Sequence, residues 1–333
     1  MSSSFEPDPA PQLDVTEIEQ VEEIVEARPI ERALGEQAPA ARRGTGWITT
    51  AWALPGGLWL GFYLIAPLVF IVLVSFWTYS QGARSGFTTD WTLSNYSQIF
   101  HPFSLDNTYW KNMLTSFETS VIAVAACLLL GFPVAYFLAL KVENLRNQIA
   151  LFILALAPFW TSFLVRSVAW TYPLMGRDGA LNQLLQKIGI VDHPISSLGF
   201  SQFSVTLALI QLYILFMVTP LFFTLAQVDR TALEAARDLG ANWWRMFREV
   251  IVPQALPGMV IGSIFIFVLT MGEYGTVLVV GGNKIQSVGT IVNSYIQLAV
   301  QYPPGAAAAV LLVLALIAGV FAITRFSNLR EEL

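Results

Sequence analysis

Six apolar segments constrain the fold of this chain more than any other feature of its sequence. Each is long enough to cross the hydrocarbon core of a bilayer, which needs roughly 20 predominantly apolar residues. Hydrophobic residues make up 55% of the 333 residues and charged residues only 12%, too few for an ordinary soluble domain. We therefore expect an all-α integral membrane protein with about six transmembrane helices. The predicted spans are Ala51–Trp77, Met113–Leu140, Gln148–Thr171, Phe203–Ala226, Gly258–Val280 and Pro304–Arg325.

Four prolines, Pro67, Pro133, Pro158 and Pro220, lie inside these spans. Each removes a backbone donor, and the carbonyl that it frees needs a partner from a neighbouring helix or from water. We expect irregular helices, which suit a protein that changes conformation.

The N-terminal segment differs in composition from the rest of the chain. Residues 1–46 carry ten acidic and four basic side chains, whereas the remainder is nearly neutral. Such a segment, rich in Pro, Glu, Ala and Gln, cannot bury enough apolar surface to offset its ordering entropy. We expect a disordered acidic tail over 1–46, in which Asp14–Arg28 could form a transient helix on a partner, and a transmembrane domain over 47–333.

Basic residues predict the orientation, because cytoplasmic loops carry an excess of Lys and Arg. With the N-terminus inside, ten basic residues near the spans fall in the cytoplasm and five fall outside. Both termini are therefore expected to be cytoplasmic. The inner set is Arg42, Arg43, Lys141, Arg146, Arg230, Arg237, Arg245, Arg248, Arg325 and Arg330, and the outer set is Arg84, Lys111, Arg177, Lys187 and Lys284.

The loop after the fourth span has the pattern of a helix, a sharp turn and a second helix. Thr231-Ala232-Leu233-Glu234 has the form of a capping box, which predicts a helix start. Ala235 and Ala236 leave room for another backbone to approach, and Gly240 can adopt the left-handed conformation that ends a helix. A second helix is predicted over Asn242–Val250, interrupted by Pro253 and Pro257. The alternative is an amphipathic linker on the membrane surface, anchored by Trp243 and Trp244.

No catalytic pattern emerges from the sequence. Gly281-Gly282-Asn283-Lys284 lacks the spacing of a phosphate-binding loop, and neither a His-x-x-x-His pair nor a Gly-x-Ser-x-Gly elbow is present. The only cysteine, Cys127, lies in an apolar run, and no metal site is expected. If the protein does work, another subunit must supply the energy.

The charged loop resembles the EAA loop of the permease subunits of binding-protein-dependent ABC importers. Glu234-Ala235-Ala236, Gly240 and Val250-Ile251-Val252-Pro253 match its pattern of EAA, three residues, Gly, nine residues and I-x-L-P, with valine at both aliphatic positions. The resemblance implies the type I ABC importer permease fold and an ATPase-coupling loop over about 227–257. It implies coupling roles for Glu234, Ala235, Ala236, Asp238, Gly240, Arg245 and Pro253.

The same resemblance implies the partners. They are two ATPase subunits that bind ATP and Mg, a second homologous permease and an extracytoplasmic binding protein, in a bacterial-type cell membrane. This chain is expected to be non-catalytic, to hold no cofactor and to bind no nucleic acid.

Further motifs resemble the spermidine/putrescine branch of these permeases, with spermidine or putrescine as the implied substrate. Tyr274 and Asn283 depart from the usual residues of the branch. Ferric-iron, sulfate and phosphonate permeases share parts of the pattern and remain alternatives. The motifs are Gly131–Tyr136, Pro158–Arg166 with Trp170, Gly176–Asn182 with Gly189 and Pro194, and Gly272-Glu273-Tyr274 with Gly281-Gly282.

Three ionisable side chains, Glu118, Arg166 and Glu273, fall inside predicted spans. Charges at such depth face a cavity or a bundle interior and pair with one another. One interpretation is an outer gate or cation path that also uses Trp160 and Tyr274. The other is an Arg166–Glu273 pair that fixes helix positions. From another functional class, a stand-alone channel or secondary transporter would make the EAA match a coincidence.

Overall fold

The computed structural model describes residues 46–83, 86–100, 107–171, 176–195, 198–228 and 230–328. The chain divides into two compact units, Met1–Ala66 and Pro67–Leu333. Residues 1–45 of the predicted acidic tail lie outside the described residues. The core and the candidate sites belong to the second unit.

The described chain is mainly helical, with one small hairpin. The helices are α1 Gly46–Ser75, α2 Ser94–Phe100, α3 Thr108–Tyr136, α4 Leu145–Leu156, α5 Phe163–Ala169, α6 Ala180–Lys187, α7 Gln202–Leu225, α8 Arg230–Asp238, α9 Trp243–Met246, α10 Val252–Met271, α11 Gly275–Gly281, α12 Val288–Asn293 and α13 Tyr302–Asn328. Strands β1 Trp77–Tyr79 and β2 Phe87–Trp91 pair antiparallel. Three π-helical turns follow α3, α9 and α12, at Phe137–Lys141, Phe247–Ile251 and Ser294–Leu298.

Among the described residues, five helical stretches are long and apolar enough to cross a membrane, or six if the bent pair α4–α5 is one span. The predicted third span is not one straight helix. A 3-10 turn at Ala157–Trp160 follows α4, and the chain then bends by 80° into α5. Pro158 lies in this turn, and Thr161 adopts an extended backbone conformation, which ends the helix.

The predicted fifth span, Gly258–Val280, is wrong at both ends. Helical structure begins at Trp243 and runs to Met271 as one 29-residue stretch, whereas α11 is a separate short helix. Pro253 and Pro257 do not interrupt this stretch. Pro253 is the second residue of α10, in its first turn, where a missing backbone donor is tolerated.

Helix α7 lies at the centre of the core and packs against α3 and α10. Small residues allow the closest approach: a Cβ at Gly258 of α10 would lie 2.3 Å from the Thr224 hydroxyl oxygen and 2.8 Å from the Pro220 carbonyl. A Cβ at Gly262 would lie 2.6 Å from the Met217 sulfur. Such glycine contacts are typical of membrane helices that associate through close packing. The largest fully buried side chains of α7 are Val205, Leu209, Leu212, Met217, Leu221 and Leu225.

Hydroxyl and amide groups tie the shorter elements to this core. The backbone amide of Val288, at the start of α12, donates to Ser116 Oγ of α3 over 2.9 Å. Ser287 Oγ donates to the carbonyl of Glu273 over 2.8 Å. These bonds fix the segment between α10 and α11, where Glu273 lies.

Candidate functional site

Helix α8 carries the first part of the EAA-like motif. It begins at Arg230, so the predicted capping position Thr231 lies inside the helix. Leu233 packs against the main hydrophobic core, whereas Glu234, Ala235 and Asp238 are exposed. One side of the short helix is thus attached to the membrane domain and the other is free to contact a partner.

The turn after α8 is a Schellman motif. Gly240 has φ +78°, the predicted left-handed conformation. Its amide donates to the Arg237 carbonyl over 2.8 Å, and the Ala241 amide donates to the Ala236 carbonyl over 2.9 Å, the two bonds that define this helix end. Leu239, at the tip, is 88% exposed. We call residues 230–246 the docking turn.

Aromatic packing holds the second helix of the docking turn. Asn242 caps α9 by accepting the Arg245 amide over 2.8 Å. Trp243 and Trp244 both stack on Phe247, with centroids 5.3 and 5.7 Å away, and Phe247 contacts Phe132 of α3 edge-on at 5.5 Å. Both tryptophans remain more than half exposed. With Leu239 they give the turn an exposed apolar surface.

Most of the predicted coupling residues lie in the docking turn, but Pro253 does not. Arg245 pairs with Glu249 over 3.0 Å on the exposed surface of the helix. Pro253 lies outside the turn, in the first turn of α10. Of the predicted coupling residues, those from Glu234 to Arg245 therefore lie within the docking turn.

Glu273 lies between α10 and α11 and is half-buried. Tyr213 of α7 donates its hydroxyl hydrogen to Glu273 Oε2, and the Thr276 amide donates to Oε1 over 2.9 Å. Each carboxylate oxygen therefore accepts one hydrogen bond from within the chain. The sequence prediction missed Tyr213, although a tyrosine inside an apolar span needs a partner for its hydroxyl.

The Arg166–Glu273 ion pair, one of the two interpretations of these charges, is not formed. Within the part of the chain that the structure describes, Arg245–Glu249 is the one ion pair found, and the Nε of Arg166 is buried without a hydrogen-bond acceptor. The guanidinium instead lies over the Phe159 ring, 5.7 Å from its centroid. Tyr213 and Thr276 are instead the hydrogen-bond partners of Glu273.

Aromatic rings line the region beside Glu273. Phe216 contacts Phe159 at 5.5 Å, Phe265 at 6.0 Å and Tyr213 at 6.1 Å between ring centroids. We call these four rings the aromatic wall. Nearby in the sequence, Trp160 is 83% exposed and Tyr274 is 50% exposed.

Glu118 does not join this group. It lies on the exposed face of α3 and forms no hydrogen bond or ion pair with any described residue. Nor does any group of three His, Cys, Asp or Glu side chains suited to a metal occur in the described ranges. The membrane-embedded candidate site is therefore Glu273 with Tyr213, Arg166 and the aromatic wall.

Comparison with known proteins identifies the family. Residues 127–331 match the family described as binding-protein-dependent transport system inner membrane component. The chain is 32% identical over 252 residues to the spermidine/putrescine transport system permease protein PotB of Haemophilus influenzae, covering 76% of this chain and 84% of that one. It is also 32% identical over 254 residues to the protein of the same name from Escherichia coli, covering 76% and 88%.

A solved structure supports the same fold. A chain in the crystal structure of a bacterial ABC transporter involved in the import of the acidic polysaccharide alginate superposes with a TM-score of 0.60 at 15% identity. The match covers 85% of this chain and 95% of that one. This chain belongs to the inner membrane components of binding-protein-dependent transport systems, the permease subunits of ABC importers.

Proposed function

We propose that this chain is one of two permease subunits of an ATP-driven importer for a polyamine such as spermidine or putrescine. An extracytoplasmic binding protein delivers the substrate, and two ATPase subunits bind ATP and Mg. The chain itself provides the path by alternating access and holds no cofactor. Its two termini and the docking turn lie in the cytoplasm.

The observation that carries the coupling role is the docking turn. It combines a left-handed Gly240, an exposed Leu239 and two half-exposed tryptophans, and it continues directly into the membrane-crossing helix. A Cβ at residue 240 would meet no atom of this chain within 4 Å. The space beside Gly240 is therefore open to a partner such as the ATPase.

Two observations support a polyamine as the substrate. The curated relatives PotB are named as spermidine/putrescine permeases. Glu273 lies beside the aromatic wall, and a carboxylate next to aromatic faces suits ammonium groups linked by methylene chains. Glu273, Tyr274 and Trp160 are proposed to line the cation path. Glu118 is proposed to attract cations near its entrance.

Uptake in cells that express the complete importer tests this proposal. Labelled spermidine and putrescine should accumulate in an ATP-dependent way, and Gly240→Val should abolish uptake and the co-purification of the ATPase without lowering the membrane level of the chain. A left-handed Val costs roughly 1–2 kcal/mol, and its bulk would occupy the open space. Uptake of ferric iron, sulfate or a phosphonate instead of a polyamine would refute the substrate assignment.

Thiol labelling tests the orientation. In a Cys127→Ala background, a cysteine at Ser4 or Ser327 should resist a membrane-impermeant reagent in intact cells, whereas one at Ser85 should react. Labelling at Ser4 from outside would contradict the proposed topology.

A further inference from the structure

A cavity separates the end of α1 from the start of α13. Its volume is about 310 Å³, and the part of α1 that lines it belongs to the same compact unit as α13. On α13 the lining residues are spaced i, i+4 and i+7, so they share one face, and two of them are alanines whose small side chains leave the gap. The two helices contribute Phe70, Ile71 and Val74 of α1 and Tyr302, Ala306 and Ala309 of α13. We call this cavity the α1–α13 groove.

The walls of the groove are apolar. Phe87 of β2 and Ile296 of the last π turn complete the lining, and among the described lining side chains the Tyr302 hydroxyl is the one polar group. An ordered water needs roughly two to four polar partners, which these side chains do not offer, whereas apolar cavities bind hydrocarbon. Left empty, the walls would lose dispersion contacts. The occupant is therefore apolar.

The groove is part of the surface that α1 and α13 present to the bilayer. Both helices are long and apolar enough to cross a membrane, and only 6% and 17% of their apolar windows are buried inside the chain. Two of the lining residues lie at the open side of the groove, because Phe70 is 55% exposed and Tyr302 is 39% exposed. Hydrocarbon from the bilayer can therefore enter the groove from the side.

Aromatic rings cross the end of the groove that adjoins the hairpin. Phe70 contacts Trp77 at 6.0 Å, Trp77 stacks on Phe87 at 5.1 Å, and Phe87 meets Tyr302 edge-on at 6.4 Å between ring centroids. β1 begins two residues after α1 ends, so these rings lie where α1 leaves the membrane, the level at which aromatic side chains are enriched. A helix is about 10 Å across and would have to displace the rings to follow the groove across the membrane. An acyl chain is thinner and begins at the headgroup level that the rings mark.

We infer that the α1–α13 groove binds one acyl chain of a bilayer phospholipid, with the headgroup at the level of Phe87 and Tyr302. The lipid fills the gap between the end of α1 and the start of α13. The inference requires only that the chain crosses a membrane, and it does not depend on which substrate is transported.

Photo-cross-linking tests the site. The complete importer is reconstituted in vesicles of phosphatidylethanolamine and phosphatidylglycerol, in which part of the phosphatidylethanolamine carries a diazirine midway along one acyl chain. Mass spectrometry after irradiation should find lipid adducts on Ile71 and Ala309 about fivefold more often than on Ile317, because a chain packed in a groove makes more contacts than one on an open surface. Ile317 is 61% exposed on α13. Equal adduct yields at these positions would indicate ordinary bilayer contact and would overturn the inference.

A substitution that fills the groove provides the second comparison. Ala309→Leu should lower the adducts on Ile71 about fivefold or more, because its side chain takes the space of the acyl chain. Ala318→Leu, the same change at an exposed position of α13, is the matched control and should leave these adducts unchanged. An unchanged yield on Ile71 in Ala309→Leu would contradict the site.

Cysteine cross-linking decides the occupant even if Ala309→Leu lowers the level of the chain. In the Cys127→Ala background, a cysteine at Ala309 should form no cross-link to cysteines placed along the membrane-spanning helices of the second permease. A cross-link from this position would show that a protein helix covers the groove and would overturn the inference. Adducts and cross-links are both measured without transport, so a failure here is distinct from a failure of the proposed function.

Discussion

The docking turn and the Glu273 site are built in opposite ways. The turn is closed by backbone hydrogen bonds between residues no more than five positions apart, from Ala236 to Ala241. Glu273 is held by a side chain 60 positions away, on another helix. The turn is exposed, whereas the carboxylate is half-buried among apolar neighbours. Substitutions in the turn should therefore change partner binding, and substitutions at the Glu273 site should change uptake or the stability of the membrane domain.

Among the side-chain substitutions that test this comparison, the largest effect is expected at Glu273. Glu273→Gln should lower polyamine uptake about tenfold or more, because the carboxylate charge is lost while an amide oxygen can still accept the Thr276 amide. Complex yield should stay within about twofold, since one hydrogen bond is kept. Uptake assays and quantitative recovery of the complex measure both. Since Arg166 does not form an ion pair with Glu273, adding Arg166→Gln should not rescue the defect. Rescue would instead support an Arg166–Glu273 pair that fixes helix positions.

A smaller effect is expected at the tip of the docking turn. Leu239→Ser removes an exposed apolar side chain whose burial by a partner stabilises the contact by about 1.5–3 kcal/mol. Affinity for the ATPase should fall about tenfold, with the thermal stability of the solubilised chain unchanged. Gly240→Asn keeps the left-handed turn but adds a side chain in the open space beside residue 240, so it should also lower ATPase affinity with an unchanged melting temperature. A lower melting temperature for Leu239→Ser would show that the turn contributes to folding.

Tyr213→Phe should act more weakly and on stability first. It removes one hydrogen bond to a carboxylate, a contribution of about 1.5–3 kcal/mol. The melting temperature in detergent should drop and uptake should fall a few-fold. Tyr136→Phe is the matched control, because Tyr136 is half-buried and forms no hydrogen bond through its hydroxyl with a described residue. Equal losses of stability and uptake in both variants would show that the Tyr213–Glu273 hydrogen bond is not the cause.

The smallest effect is expected for the surface ion pair. Arg245→Ala breaks an exposed pair with Glu249, and such pairs contribute only about 0.3–0.5 kcal/mol on a helix. ATPase recovery and uptake should stay within about twofold of wild type. A loss as large as that of Leu239→Ser would mean that Arg245 contacts the ATPase directly.

Sequence predicted the parts of the molecule that depend on local chemistry. The left-handed Gly240 follows from its position after a short helix, and the apolar segments follow from composition. Pro158 predicted an irregular third span, but the residues around it do not determine the direction of the 80° bend that follows. Pro253 was wrongly expected to stop a helix, because the preceding π turn was not foreseen.

The Glu273 site could not be predicted in the same way. Charge alone suggested Arg166 as the partner, yet a tyrosine hydroxyl and a backbone amide satisfy the carboxylate. Which of several polar groups reaches a buried acid depends on how α7 packs against α10. That arrangement is a property of the whole bundle and leaves no short motif in the chain.

The unbroken helical stretch from Trp243 to Met271 has a mechanical consequence. Gly258 and Gly262 press it against α7 near its middle. At about 1.5 Å per residue, roughly 22 Å of helix lie on the docking-turn side of Gly258 and about 20 Å on the Glu273 side. The glycine contact with α7 therefore divides the stretch into two parts of nearly equal length. A tilt about that contact would move the two ends by similar distances in opposite directions.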